Sequence, residues 1–140
     1  MPVIYDVVLN HHLKMFSEAC TAAFEYASEV YEAVDSKDER RLARFLTENC
    51  TFVYANNDPV IGRANVAEHS KNFMALIAGI KHQLLEVWAF DDVVISRIEV
   101  TYTRKDGSTP TVPAVTIWRV RDRLIDDYRI YIDVAPLFAH

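Results

Sequence analysis

The first third of the chain carries apolar residues at steps of three and four, which is the spacing of one helix face. This pattern predicts a helix from about residue 12 to residue 34, preceded by a short arm or strand over residues 1–10. Asp35-Ser36-Lys37-Asp38 breaks the pattern. Asp35 is interpreted there as a local capping residue, and Ser36 or Asp38 would cap a second helix that ends near Asn49.

The rest of the chain changes from helical to strand periodicity. A short strand is expected at residues 51–54, followed by a turn at residues 56–59. A third helix is expected at about residues 64–78, with Gly79 just past its end. A period of two then predicts four strands, at about residues 81–90, 93–104, 112–121 and 124–133. Helices followed by an antiparallel meander indicate an α+β fold, with the helices on one face of a curved sheet.

Composition narrows the class of protein further. The chain has 140 residues, enough for one domain, and 51% of them are hydrophobic, as in soluble globular proteins. The net charge is −5 and the basic residues are scattered, which disfavours nucleic acids and membranes as partners. The first residues lack the features of a signal peptide, so a cytoplasmic location is expected. Cys20 and Cys50 are expected to be reduced and buried.

Three segments, in this order and spacing, resemble the nuclear-transport-factor-2-like or SnoaL-like superfamily. They are residues 31–38, residues 51–63 and the terminal strand at residues 124–133. The resemblance implies one domain over residues 1–140, with residues 1–20 forming an N-terminal extension and the start of the first helix. It also implies a cone-shaped α+β fold, in which a curved, mixed, mostly antiparallel sheet wraps around the N-terminal helices and leaves an apolar pocket.

Several enzyme families share this fold, and their functional positions map onto this chain unevenly. The scytalone dehydratase pattern matches Asp35 to Asp38, Tyr54 and His82, but its second histidine has no counterpart within residues 101–104. The ketosteroid isomerase pattern gives Asp58-Pro59-Val60, whereas its oxyanion residues fall near Val30 and on Thr116. Limonene epoxide hydrolase would use Arg97 and Glu99, with Ile130 at its last-strand position. Polyketide cyclases and non-enzymatic proteins also share the fold, so the fold alone does not decide function.

Four residues are the candidates for catalysis. His82 is the strongest, because an imidazole that titrates near neutrality is suited to general acid–base work. Tyr54 would polarise a substrate oxygen, and Asp58, held extended by the following proline, would act as a base at the pocket rim. Asp133 either lies outside the pocket or, if a bulge shifts the last strand, turns inward and orients His82.

The expected walls of the pocket come from several elements. Asn56 is expected to face the pocket together with Tyr54, because the two are two residues apart on one strand. The predicted substrate-binding residues are Asn56, Phe73, Trp88, Thr116, Trp118, Tyr128 and Ile130. No metal-binding spacing or glycine-rich phosphate loop is present in the sequence, so no metal and no cofactor is expected.

These features lead to two main hypotheses about function. The first is a cofactor-free enzyme of the lyase or isomerase type, which carries out isomerisation, dehydration, cyclisation or epoxide opening. Its small-molecule substrate would be an apolar, oxygenated metabolite of polyketide or terpenoid type. The second is a non-catalytic binding or dimerisation module, and a protein-transport adaptor is a weaker third. In either case a homodimer is expected, formed through the apolar outer sheet face that carries Val93, Ile95, Val115 and Ile117.

Overall fold

The structure is a computed structural model that describes the backbone of residues 2–138 and the side chains of residues 18–138. The chain begins with two helices, has a third between its second and third strands, and has a short fourth helix after the last strand. In chain order the elements are α1 (Pro2–Asp35), α2 (Glu39–Ala43), β1 (Leu46–Tyr54), β2 (Val60–Ile61), α3 (Arg63–Met74), β3 (Gly79–Phe90), β4 (Val93–Thr103), β5 (Thr111–Arg121), β6 (Leu124–Ile132) and α4 (Ala135–Phe138).

The six strands form one sheet in the order β2-β1-β6-β5-β4-β3. Strands β3 to β6 are an antiparallel meander, and β1 inserts parallel to β6, so the sheet is mixed and mostly antiparallel. The α+β fold class is therefore confirmed, and each of the four predicted long strands ends within two residues of its expected limits. Pairing aligns Tyr54, Ile130, Thr116 and Ser96 in one row across the sheet.

Helix α1 starts much earlier than the sequence pattern indicated. The expectation of an arm or strand over residues 1–10 is wrong for residues 2–10, which are helical, whereas residue 1 lies outside the described residues. Pro2 is the first helical residue, a position that needs no backbone N–H donor, and no glycine or proline follows it before Asp35. Even this long helix has no stretch apolar enough to cross a membrane, and the other described helices are too short.

The predicted second and third helices are both too long. Helix α2 ends at Ala43, and β1 begins at Leu46, where a second helix was still expected. The register of β1 against β6 shifts between Leu46 and Thr51, which disturbs the period of two that identifies a strand. Helix α3 ends at Met74, so Gly79 is the first residue of β3 rather than a helix-terminating glycine.

The core lies between α1 and the inner face of the sheet. Trp118 is fully buried there, with the rings of Tyr26, Tyr31 and Tyr128 at centroid distances of 6.1, 5.3 and 5.4 Å. Aromatic side chains of this size contribute much of the apolar area that a small domain buries. Cys50 is buried and Cys20 is half-buried, and both are free thiols.

Candidate active site

An apolar cavity lies between the helices and the inner face of the sheet. Its empty space is about 600 Å³ including the open mouth, of which about 60 Å³ can hold the centre of a water molecule. Every helix from α1 to α3 and every long strand contributes to the lining, which consists of Val34, Leu42, Phe52, Tyr54, His69, Ser70, Phe73, Met74, Ile80, His82, Ile98, Val100, Tyr102, Thr116, Tyr128, Ile130 and Ile132.

One polar residue of this lining, His82, is paired with a carboxylate that does not itself line the cavity. Asp35 is the last residue of α1, and its Oδ1 lies 2.5 Å from Nδ1 of His82 in β3. The second carboxylate oxygen accepts the backbone N–H of His82 at 3.0 Å. The His82 side chain is 9% exposed and that of Asp35 is 24% exposed. The carboxylate therefore holds both the backbone and the ring of His82, which leaves the ring little freedom to rotate.

The local backbone explains how Asp35 reaches β3. Lys37 has a φ of 61°, in the left-handed region, and its backbone N–H donates to the carbonyl of Val34, which ends α1. The Lys37 ammonium donates to the carbonyl of Ile77 at 2.8 Å, just before β3 begins. Two neighbouring contacts, one from Asp35 and one from Lys37, therefore fix the end of α1 against the start of β3.

The Asp–His contact determines which ring nitrogen can react. A carboxylate accepts hydrogen bonds, so a neutral His82 carries its proton on Nδ1 and keeps the lone pair on Nε2. Among the described residues, none is a hydrogen-bond partner of Nε2. Because His82 lines the cavity, this nitrogen is the one left to remove or donate a proton there.

The ring of Tyr31 stacks on His82 and is itself held by the buried hydroxyls of Ser96 and Thr116. The Tyr31 ring stacks on His82, with centroids 4.8 Å apart and planes 24° apart. The Tyr31 hydroxyl contacts Ser96 at 2.6 Å and Thr116 at 2.5 Å, and Ser96 and Thr116 also contact each other. Burial raises the pKa of Tyr31 to about 12, so its hydroxyl stays neutral. These bonds fix the orientation of Tyr31 and, through the stacked rings, that of His82.

A second polar point of the cavity is a pair of tyrosines. The hydroxyls of Tyr54 in β1 and Tyr102 in β4 are 2.9 Å apart, and both side chains line the cavity. Burial raises the pKa of Tyr54 and that of Tyr102, so both hydroxyls keep their protons at neutral pH. One proton is shared between the two oxygens, which leaves one for a ligand oxygen.

Six of the predicted site residues line the cavity. They are Tyr54, Phe73, His82, Thr116, Tyr128 and Ile130. Tyr128 and Ile130 do so because they lie on the inner face of β6, on the same side as Ile132. The sequence placed these residues on the correct face, whereas their roles in catalysis or binding remain predictions.

Of the two positions expected for Asp133, the structure shows the one outside the pocket, so the alternative in which it turns inward and orients His82 is wrong. Asp133 is exposed, beyond the end of β6, and its Oδ1 accepts the backbone N–H of Ala135 at 3.0 Å. Tyr128, Ile130 and Ile132 keep to the inner face, so no shift of register at the end of β6 turns Asp133 inward. The carboxylate that contacts His82 is Asp35, which the helical pattern indicated as a local cap and which the scytalone dehydratase resemblance matched as part of residues 35–38.

Asn56 and Asp58 also lie away from the cavity. Strand β1 ends at Tyr54, and Ala55 has a φ of 52°, so the chain turns before Asn56 instead of continuing the two-residue alternation. Both Asn56 and Asp58 are exposed in that turn, and neither lines the cavity. The exposed position gives Asp58 none of the apolar surroundings that a base at the pocket rim would need.

The two tryptophans are not cavity walls either. Trp118 is on the inner face, but it is fully buried in the core beside the cavity rather than lining it. Trp88 is 39% exposed and pairs with Ile95 of β4, on the outer face of the sheet. The register shift between Leu84 and Glu86 is what places Glu86 and Trp88 on the outside.

The epoxide hydrolase residues lie on that outer face as well. Arg97 donates two hydrogen bonds to Glu86 there, at 2.6 and 2.9 Å, and Glu99 is exposed. The cavity therefore receives no Arg–carboxylate pair from β4.

Sequence reasoning missed several residues of the site. Asp35, Tyr31, Ser96, Tyr102 and His69 were not among the predicted site residues. Asp35 carried one local signal, since a carboxylate at the C-terminal end of a helix opposes the helix dipole and needs another reason to be there. His69 carried another, because it occupies the inward face of α3, between Val66 and Phe73.

Metal ligands do not come together in the described part of the chain. No group of three or more histidine, cysteine, aspartate or glutamate side chains is close enough there to hold an ion. The Asp–His pair supplies two ligands at most.

A family model for the SnoaL-like domain matches residues 27–128, which is well over half of the chain. The chain belongs to the SnoaL-like domain family. The resemblance stated from the sequence is thereby confirmed. Among curated proteins, a segment of one component of eukaryotic translation initiation factor 3 of Arabidopsis thaliana is 31% identical over 88 residues. That match covers 60% of this SnoaL-like chain but 15% of the plant protein.

Solved structures of other proteins have the same fold as this SnoaL-like domain. A hypothetical protein with a ketosteroid isomerase-like fold from Catenulispora acidiphila, in complex with trimethylamine, is 18% identical with a TM-score of 0.75, over 80% of this chain and 88% of that one. An epoxide hydrolase from M. tuberculosis that resembles limonene epoxide hydrolase gives 15% and 0.72, over 85% and 88%. A protein described as a SnoaL-like polyketide cyclase from Jannaschia sp. gives 14% and 0.73, over 86% and 91%. These likenesses confirm the nuclear-transport-factor-2-like fold.

Proposed function

We propose that this SnoaL-like domain is an enzyme that transfers protons on a small, apolar, oxygenated molecule, without a metal or cofactor. The observation that carries the proposal is that His82, in the wall of an apolar cavity, is held by the carboxylate of Asp35 behind it. A carboxylate that fixes the tautomer of an imidazole is the usual way to prepare a general base.

The proposed step begins at Nε2 of His82. This nitrogen removes a proton from a carbon next to a carbonyl group, and the electrons of the broken C–H bond form the double bond of an enolate. The hydroxyl pair of Tyr54 and Tyr102 donates a hydrogen bond to the carbonyl oxygen, where negative charge develops. His82 then returns the proton to the same or to another atom, and Asp35 stabilises the imidazolium in between.

The relatives support a substrate of the polyketide or terpenoid class. Proteins of this fold are described as a polyketide cyclase and as an epoxide hydrolase, and both descriptions concern small oxygenated molecules. Isomerisation, dehydration and cyclisation all start from the proton removal proposed for His82. Epoxide opening is less favoured, because Arg97 and Glu99 lie on the outer face of the sheet.

Hydrogen–deuterium exchange of a simple ketone tests the proposal without knowledge of the natural substrate. We expect the protein to catalyse exchange of the α-hydrogens of cyclohexanone in D₂O above the buffer rate, followed by proton NMR. His82→Gln is expected to lower the catalysed rate at least 100-fold, the scale of general base catalysis. Exchange no faster than in buffer, or equally fast in His82→Gln, would contradict the proposal and favour a non-catalytic binding module.

We also infer a homodimer formed through the outer face of the sheet. That face carries the half-buried Val93, Ile95, Val115 and Ile117 together with Trp88, which is 39% exposed. A run of apolar side chains across three neighbouring strands is typical of a surface that a partner covers. The occupant inferred is a second copy of the chain, because most soluble oligomers pair the same surface of two identical subunits.

A further inference from the structure

A second histidine, which the proposed mechanism does not use, lines the same cavity. His69 lies in α3 on the inward face, one turn after the buried Val66 and one turn before Phe73. Its ring centroid is 5.6 Å from that of Phe52, which also lines the cavity. Apolar residues usually occupy such an inward position. A half-buried imidazole there needs an explanation.

The ring nitrogens of His69 have no partner within the described protein. No hydrogen bond or ion pair joins them to residues 18–138. Within residues 18–138, the Trp118 indole nitrogen is the one fully buried side-chain polar atom that lacks a partner. The ring nitrogens of His69 also lack a partner, so they are not fully buried and solvent reaches them. Histidines with a purely structural role on an inward face are normally held by a hydrogen bond. His69 therefore has an unused donor and acceptor next to the ligand space.

We propose that His69 is a second catalytic acid of this site, and that the substrate is a carbonyl compound with a hydroxyl group on its β-carbon. This inference rests on the proposed role of His82. The reaction is loss of water, and the two histidines act on two different atoms of one ligand. His69 acts from α3 and His82 acts from β3, so the ligand lies between this helix and the sheet.

The bonds and protons balance in this step. His82 takes the α-proton, and the electrons of that C–H bond form the new carbon–carbon double bond. The bond between the β-carbon and the hydroxyl oxygen breaks with both electrons going to oxygen. Protonated His69 donates its proton to that oxygen, so water leaves. His82 ends protonated and His69 ends neutral, and proton exchange with solvent through the open mouth restores both.

Two related probes separate this inference from the proposed function. Cyclohexanone reports on His82 alone, through exchange of its α-hydrogens in D₂O. The β-hydroxy ketone 3-hydroxycyclohexanone reports on both histidines, through ultraviolet absorbance of its product cyclohex-2-enone. For each protein, the rate of water loss is divided by the rate of exchange.

We expect the wild-type protein to dehydrate 3-hydroxycyclohexanone, and His69→Gln to lower the ratio of water loss to exchange at least tenfold. Glu68→Gln, an exposed neighbour on α3, is the matched control and is expected to keep the wild-type ratio. His69→Asn provides a second variant should His69→Gln fail to fold. If exchange depends on His82 but water loss is absent, or its ratio is unchanged in the His69 variants, the inference is overturned and the proposed function stands. If exchange itself is absent, both are overturned.

Discussion

At the residue scale, the site depends on individual contacts, and the buried side chain of Tyr31 makes several of them. Tyr31 is 3% exposed, bonds to Ser96 and Thr116, and stacks on His82. Because the hydroxyl has no room for the water that an anion requires, the folded protein keeps it neutral. Tyr31 therefore contributes to the sensitivity of the fold to alkaline pH, as do Tyr54 and Tyr102, whose pKa values burial also raises.

We predict that Tyr31 contributes to a loss of stability between about pH 10 and pH 12. Its pKa is raised by burial from 10.0 to about 12, so in this range the unfolded chain releases the proton and the folded chain keeps it. The unfolded state then binds fewer protons, and stability falls as the pH rises. The loss is about 3 kcal/mol at most, from two pKa units. Urea unfolding across this range measures it, and Tyr31→Phe is expected to show a smaller loss. An equal loss in both proteins would contradict the prediction.

At the scale of elements, the end of α1 and the start of β3 act as one unit. Lys37 adopts a left-handed backbone, which is costly for a residue with a side chain, and its ammonium contacts the carbonyls of Ile77 and Ala78. This turn follows Asp35 by two residues, and the Asp35 carboxylate contacts His82 at the start of β3. Sequence patterns assign the break but not this backbone conformation.

We predict that Lys37→Gly is more stable than Lys37→Ala by about 1 kcal/mol, because glycine adopts a φ of 61° without strain. Both variants lose the same ammonium contacts, so the comparison isolates the backbone. Chemical denaturation measures the two free energies of unfolding. Ser36, whose φ is not positive, is the control position, where the alanine variant is expected to be the more stable of the two. A Lys37→Ala variant as stable as Lys37→Gly would argue against a left-handed Lys37.

Much of the fold could be predicted from the sequence at this scale, and the limits have physical causes. Strands β3 to β6 alternate over most of their length, and their bounds were found within two residues although β3 shifts register between Leu84 and Glu86. The start of β1 was missed because its register shifts after Leu46. The partner of His82 was missed because Asp35 is 47 residues away and is brought close by the packing of α1 on β3. Periodicity reports the face on which a residue lies but not which distant residue it meets.

At the scale of the whole molecule, the two faces of the sheet differ in composition and burial. The inner face forms the core and the cavity, with Ser96 and Thr116 as its buried polar residues. The outer face combines apolar side chains with ion pairs such as Arg97–Glu86 and Arg129–Asp127. An outer face of this composition is suited to pairing with a second copy.

We predict that the protein is a dimer in solution and that Ile95→Arg converts it to a monomer, because a charge in the centre of an apolar interface lacks a partner. Size-exclusion chromatography with light scattering measures the mass. Leu76→Arg is the control, since Leu76 is 64% exposed and does not lie on the sheet, and it is expected to remain a dimer. A monomeric wild-type protein would contradict the inferred interface.

The most direct test of the central claim compares two carboxylates in one assay. Asp35→Asn removes the charge next to His82, whereas Asp133→Asn makes the same chemical change at an exposed residue that accepts the backbone N–H of Ala135. Exchange of cyclohexanone α-hydrogens in D₂O is expected to fall at least tenfold in Asp35→Asn, the scale on which a partner that orients an imidazole acts. It is expected to keep the wild-type rate in Asp133→Asn. Equal rates in the two variants, or a loss confined to Asp133→Asn, would contradict the assignment of Asp35 and His82 as the acid–base centre.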